Sequence, residues 1–72
     1  MKRPGLTERC VWGAKWPNGD IEVEVLPFYE CMRRRDLAIG LGGPSRVSIG
    51  RITRKNPEPQ AVAFMREHLA NA

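Results

Sequence analysis

The sequence has few of the residues that catalytic and metal sites use. It contains one histidine, His68, and two cysteines, Cys10 and Cys31. These would supply three ligands without CxxC spacing, whereas a structural zinc site needs four, so no metal or cofactor is predicted. The sequence shows no set of nucleophile, base and orienting group that could come together in one site. We therefore expect no catalytic residue and no enzyme. Both cysteines are expected to be reduced thiols that fill space in the core.

Long apolar runs are also missing. Residues 1–10 are polar and are interrupted by Pro4 and Gly5, unlike a secretory signal, and no run approaches the length of a membrane span. We therefore expect a cytoplasmic protein without a membrane partner. A chain of 72 residues makes a single domain, which buries only about 60% of its unfolded surface. Residues 1–7 are expected to form a flexible arm.

Charge of neither sign dominates. Twelve Lys and Arg oppose eight Asp and Glu, which gives a net charge of +4. Residues 37–72 hold five basic and two acidic side chains, so most of the excess lies there (5 − 2 = 3). Such an excess is compatible with nucleic acid or with an acidic protein surface and requires neither.

What the sequence does contain is a β-hairpin pattern in residues 12–25, WGAKWPNGDIEVEV, in which apolar and polar residues alternate on both sides of Pro17-Asn18-Gly19. Pairing Trp16 with Ile21 collects the apolar residues on one face, and we favour this register because it buries them together. A three-residue loop suits the turn as well, but it shifts the pairing by one residue and puts the tryptophan face beside Asp20, Glu22 and Glu24.

Turn residues and apolar spacing define the remaining elements. The hairpin strands are expected over residues 8–16 and 20–26, and Pro27 then begins a helix that reaches about Ile39 and closes at Gly40. A third strand is expected over residues 46–54, in which Ile52 falls out of phase with Val47 and Ile49 unless Gly50 forms a bulge. A last helix follows Asn56-Pro57 and ends near Ala70. In an alternative, residues 37–41 and 46–52 pair as a second hairpin.

The element order β-β-α-β-α predicts an α+β fold. We expect a small antiparallel sheet that contains the N-terminal hairpin, with both helices packed on one face. The last helix carries an apolar stripe, and its members are Ala61, Val62, Phe64, Met65 and Leu69. Because Phe64 is the only aromatic residue of the basic half and lies on that stripe, no stacking platform for nucleic-acid bases is predicted.

Arginines and one tryptophan supply the candidate binding residues. Three consecutive arginines on the first helix spread over about 200° of its circumference, so at most two can share a patch. The third strand and the residues after it present further basic side chains. Trp16, at the hairpin tip, is the candidate anchor for a protein partner. The candidate partner-binding residues are Trp16, Arg33, Arg34, Arg46, Arg51, Arg54 and Lys55.

A tryptophan-bearing strand, a Pro-Asn-Gly-Asp turn, an acidic return strand, an arginine-rich helix and a short Arg-Val strand resemble the small accessory proteins of actinobacterial phages. The resemblance covers about Glu8 to Arg54 and does not include the last helix. It rests on Trp12, Trp16, Pro17, Asn18, Gly19, Asp20, Arg33, Arg34, Arg35, Arg46 and Val47. It implies a protein that binds a host component and inhibits or redirects it, and it implies no catalytic residue.

Two functional hypotheses follow. The first is a non-enzymatic accessory protein of phage type that binds a host macromolecule, most simply a protein, in the bacterial cytoplasm. The second is a small basic module that contacts nucleic-acid phosphates through Arg46, Arg51, Arg54 and Lys55, with Arg33 or Arg34. A homodimer is compatible with both hypotheses.

Overall fold

The computed structural model describes residues 4–72, in which one antiparallel sheet is covered by two helices. The sheet order is β2-β1-β3, so β1 is the central strand and β2 and β3 are the edges. The predicted element order, the N-terminal hairpin and the α+β class are confirmed. In chain order the elements are β1 (Arg9–Lys15), β2 (Ile21–Pro27), α1 (Phe28–Leu41), β3 (Arg46–Arg51) and α2 (Glu58–Ala70).

The two helices lie on opposite faces of the sheet, and the prediction that both pack on one face is wrong. Cys10, Trp12 and Ala14 of β1 pack with Cys31 on the face that carries α1, here called the α1 face. The intervening Val11 belongs to a second buried cluster on the α2 face, which it forms with Ala61, Met65 and Leu69 of α2. Successive residues of a strand point to opposite faces, so the central strand is buried on both.

Gly13 shows why β1 accepts a helix at such close range on the α2 face. A Cβ atom at this position would lie 2.6 Å from Cγ of Met65 and 2.8 Å from Cδ1 of Leu69. These distances are shorter than a real Cβ contact, so the missing side chain is what lets the two α2 residues reach the strand.

The hairpin adopts the three-residue loop, and the predicted pairing of Trp16 with Ile21 is wrong. Trp12 pairs with Glu24, and the Gly19 N–H donates to the Trp16 carbonyl at 2.9 Å. Gly19 has a φ of +95°, as in a tight turn followed by a glycine bulge. The favoured register assumed one buried face. With helices on both faces, the β2 valines pack on the α2 face and the β2 glutamates lie on the α1 face.

The ends of α1 also differ from the prediction. Pro27 is the last residue of β2 and caps the helix. The helix ends at Leu41, where Gly42 rather than Gly40 takes the left-handed conformation, with a φ of +71°. At the other end, the N–H groups of Phe28 and Tyr29 donate to carbonyls of Glu8 and Leu6. Part of the predicted arm is therefore hydrogen-bonded to α1, while residues 1–3 lie outside the described residues.

β3 is shorter than predicted and regular. It ends at Arg51 and pairs with β1 residue for residue, so Gly50 forms no bulge and Ile52 is out of phase with Val47 and Ile49. Ile52 packs against the buried residues of the α2 face. It lies two residues after Gly50 and therefore points to the same face of the sheet. The alternative second hairpin does not form, because residues 37–41 belong to α1. Neither helix of the described chain has the length and apolarity to cross a membrane.

Candidate functional site

An apolar cleft of about 270 Å³ lies on the α1 face, between the hairpin and the C-terminal half of α1. Trp12 and Trp16 contribute its hairpin side, and the loop after α1 contributes Gly43 and Pro44. Its two charged lining residues are Glu22 and Arg34, and α1 supplies the apolar residues Leu37, Ala38 and Leu41.

The loop after α1 holds Trp16 at the edge of this cleft. The left-handed Gly42 turns the chain back towards the sheet, and a Cβ atom at Gly43 would lie 2.8 Å from the Trp16 ring. Ser45 fixes the returning chain, because its N–H and its hydroxyl both donate to the Lys15 carbonyl, at 2.8 and 3.0 Å. The cleft is therefore preformed by backbone contacts.

Large apolar side chains of α1 are exposed at this cleft. Leu37 is 54% exposed and Leu41 is 84% exposed, and their spacing of four residues puts them on the same side of the helix. Ile39 is also exposed but does not line the cleft. The sequence analysis missed both leucines as site residues. Their signal was that neither lies on the stripe that helical spacing predicts for this helix, although Ile39, the last member of that stripe, is exposed as well. The members of the predicted stripe are Phe28, Cys31, Met32, Arg35 and Ile39.

Acidic side chains exceed basic ones beside the cleft. Nη1 of Arg34 lies 2.5 Å from Oε2 of Glu24 and 3.8 Å from Oε1 of Glu22. These are the glutamates that the observed register places on the α1 face, so Arg34 explains why that register tolerates them beside tryptophan. One guanidinium contacts two carboxylates. Farther out, Asp20 lies on one side of Trp16, and Lys15 and Arg46 lie on the other. All three groups of the ion pair are partly exposed, so it contributes little to stability.

The structure brings two of the predicted site residues together in the cleft, and Trp16 also lines a neighbouring pocket with Arg46. Trp16, which is half-buried, and Arg34 both line the cleft. Arg33 lies on the exposed side of α1 and pairs with Glu30 at 3.3 Å. The other four candidates lie apart from the cleft, at the ends of β3 and in the connection to α2; they are Arg46, Arg51, Arg54 and Lys55. Binding by any of these residues stays a prediction.

Phe64 is not part of the core. Its side chain is 65% exposed, although Ala61, Met65 and Leu69 of the same predicted stripe are buried as expected. The Phe64 and His68 rings are nearly parallel, with centroids 6.3 Å apart and an interplanar angle of 5°. The basic half of the chain therefore does present an exposed aromatic surface, contrary to the sequence analysis.

The cysteines are buried, as predicted, and are free thiols. The Cys31 thiol donates to the Leu26 carbonyl at 3.7 Å. Burial, and secondarily the neighbouring Cys10, raises the pKa of Cys31 to about 11. Burial also raises the pKa of Cys10. Across residues 4–72, no group of three His, Cys, Asp or Glu side chains is placed to hold a metal ion.

Comparison with known proteins gave no match. No protein-family model matches the sequence, and no match was found among curated proteins or among solved structures.

Proposed function

We propose that this protein is a non-enzymatic binding protein that docks onto another protein through the apolar cleft beside Trp16. The observation that carries the proposal is the exposure of Leu37 and Leu41 next to a half-buried tryptophan. Contiguous exposed apolar surface is typical of interaction sites, and tryptophan is enriched among the residues that dominate binding energy.

The size and charge of the cleft favour one kind of occupant. The cleft is open and has a volume of about 270 Å³, which is enough to accept an apolar side chain of a protein. Glu22 and Glu24 outnumber Arg34, which contacts both of them at the wall of the cleft. The partner therefore presents an apolar side chain with a lysine or arginine close by.

The resemblance to actinobacterial phage accessory proteins supplies the biological setting of the proposal. In that setting the partner is a host protein in the bacterial cytoplasm, and binding inhibits or redirects it. Of the residues that carry the resemblance, Trp12 and Trp16 line the cleft.

The test is a quantitative pull-down from an actinobacterial lysate with the parent protein, Trp16→Ala, Leu41→Ala and the control Ile39→Ala. We expect one set of proteins to be retained by the parent and the control and lost with both cleft variants. Truncation of an anchor residue costs at least about 2 kcal/mol, which is roughly a 30-fold loss of affinity. Leu41 is 84% exposed, so its truncation leaves the fold intact.

Two outcomes contradict the proposal. In one, the cleft variants retain the same proteins as the parent. In the other, nuclease treatment of the lysate removes the retained proteins, which would show that nucleic acid had bridged them to the bait. Circular dichroism of each variant checks that a loss of retention does not reflect unfolding.

A further inference from the structure

A groove runs along the opposite face of the sheet, between β3 and α2. α2 lies mainly over β1 and β2 and contacts β3 less. The α2-facing positions in the middle of β3 are Ser48 and Gly50, which are half-buried, and a Cβ atom at Gly50 would lie 3.2 Å from Cε of Met65. Phe64 and His68 form the α2 wall of this groove, which encloses about 320 Å³ beside Gly50 and about 390 Å³ beside Arg46.

We propose that this groove binds single-stranded nucleic acid, with a base stacked on the exposed Phe64 ring and phosphates beside Arg46. Phe64, the centre of this site, lies on the face of the sheet opposite to the cleft, while Arg46 also lines a pocket with Trp16. The proposal differs from the sequence-based hypothesis, since an aromatic surface rather than a row of arginines is its centre.

The aromatic surface matches a nucleobase. Phe64 is 65% exposed, and the nearly parallel Phe64 and His68 rings present flat faces on one side of α2. Every base has a π-face, so stacking on aromatic rings binds single strands with little regard to sequence. A duplex hides those faces, and unstacking them costs a few kcal/mol, so a single strand is the favoured ligand.

The charge around the groove matches a phosphate backbone. Residues 37–57 contain four basic side chains and no acidic one. Arg46 lines the groove beside Phe64 and His68. Arg51 borders the other end of the groove, but its guanidinium contacts Glu8 at 3.3 Å, so Arg46 is the basic group beside the Phe64 ring. Glu67 is the one acidic residue among the described residues that line either part of the groove.

Fluorescence anisotropy with labelled oligothymidylate and oligouridylate, each titrated at several salt concentrations, tests the groove. We expect the parent to bind at least one of the two. Phe64→Ala should weaken binding about 5- to 150-fold, which corresponds to the stacking of one base, without changing the salt dependence. Phe64→Trp should retain binding. Arg46→Gln should lower the slope of log affinity against log salt by about 0.7, the effect of one phosphate contact.

Tyr29→Ala is the matched control, because Tyr29 is an aromatic residue of α1 that is 50% exposed on the other side of the sheet. Its affinity should equal that of the parent. The proposal is overturned if neither single strand binds, if Phe64→Ala binds as tightly as the parent, or if a duplex of the same length binds as tightly as the single strands. It is also overturned if sedimentation shows a dimer that Phe64→Ala converts to a monomer.

Discussion

Cys31 shows how much a single residue depends on its surroundings. Its thiol lies fully buried between β1 and α1 and donates to a carbonyl of β2. A thiolate in that place would lose its hydration and would lie close to the second buried thiol, Cys10. Both effects raise the pKa of Cys31, while Arg34 opposes them. The neutral thiol is therefore part of the folded state.

This environment predicts a pH dependence of stability. The pKa of Cys31 rises from 9.0 to about 11 on folding, so its contribution is complete below pH 9 and is lost as the pH rises towards 11. The free energy of unfolding should fall by up to about 1.4 kcal/mol per pH unit in this window. Urea denaturation of the parent and of Cys31→Ala measures it. The parent should show the steeper decline, and equal slopes would contradict the prediction.

At the residue scale, the sequence identified the tryptophans and cysteines better than it identified exposed apolar residues. Burial of Cys10, Cys31 and Trp12 followed from residue type and alternation. Exposure of Ile39 and Phe64, which both lie on predicted stripes, did not, because a helix with many apolar residues offers several possible stripes. Which stripe is buried depends on the position of the sheet relative to the helix, and helical periodicity carries no information about that position.

Among the elements, α1 illustrates how a helix end is chosen. Gly40 and Gly42 are both suitable glycines, and the structure uses the second. The Gly42 N–H donates to the Ala38 carbonyl at 2.8 Å, while Gly40 stays within the helix with no heavy atom near its missing side chain. The longer helix carries Leu41 to the cleft, so the position of the end matters for the binding surface.

Alanine substitution at these two glycines should change stability in opposite directions. Gly40→Ala should stabilise the protein by about 1 kcal/mol, because alanine is the better helix residue and meets no neighbour. Gly42→Ala should destabilise it by about 1–2 kcal/mol, because alanine is strained at a φ of +71°. Thermal unfolding followed by circular dichroism measures both. Two shifts of the same sign would be inconsistent with a helix that ends at Leu41.

The hairpin marks where element-level prediction fails. Both strands and the turn residues were identified from alternation around Pro17-Asn18-Gly19, yet the register was wrong by one residue. The choice rested on the assumption that a sheet in a small protein has one buried face. A second helix removes the penalty for apolar residues on the other face, and Arg34 removes the penalty for Glu24 beside Trp12.

For the whole molecule, the central strand joins two small cores. Trp12 anchors the core on the α1 face and Leu69 belongs to the core on the α2 face. Neither core is large, and both depend on β1. The sheet therefore couples the two faces, and we expect the protein to unfold as one unit.

This coupling is testable with one truncation on each face. Trp12→Ala should cost about 3–5 kcal/mol and Leu69→Ala about 2–5 kcal/mol, which are large fractions of the stability of a small domain. Circular dichroism during urea denaturation should show a single transition at a lower midpoint in each variant. A second transition, or a variant as stable as the parent, would show that the two faces are independent.

The central position of β1 also affects synthesis of the chain. The hairpin is made first, but its α2-facing side chains, Val11, Val23 and Val25, are covered only by an element that follows β3. At about 5–20 residues per second, the nascent hairpin exists for seconds with that face open to water, to chaperones and to other nascent chains. Emergence of α2 is the event that ends this exposure.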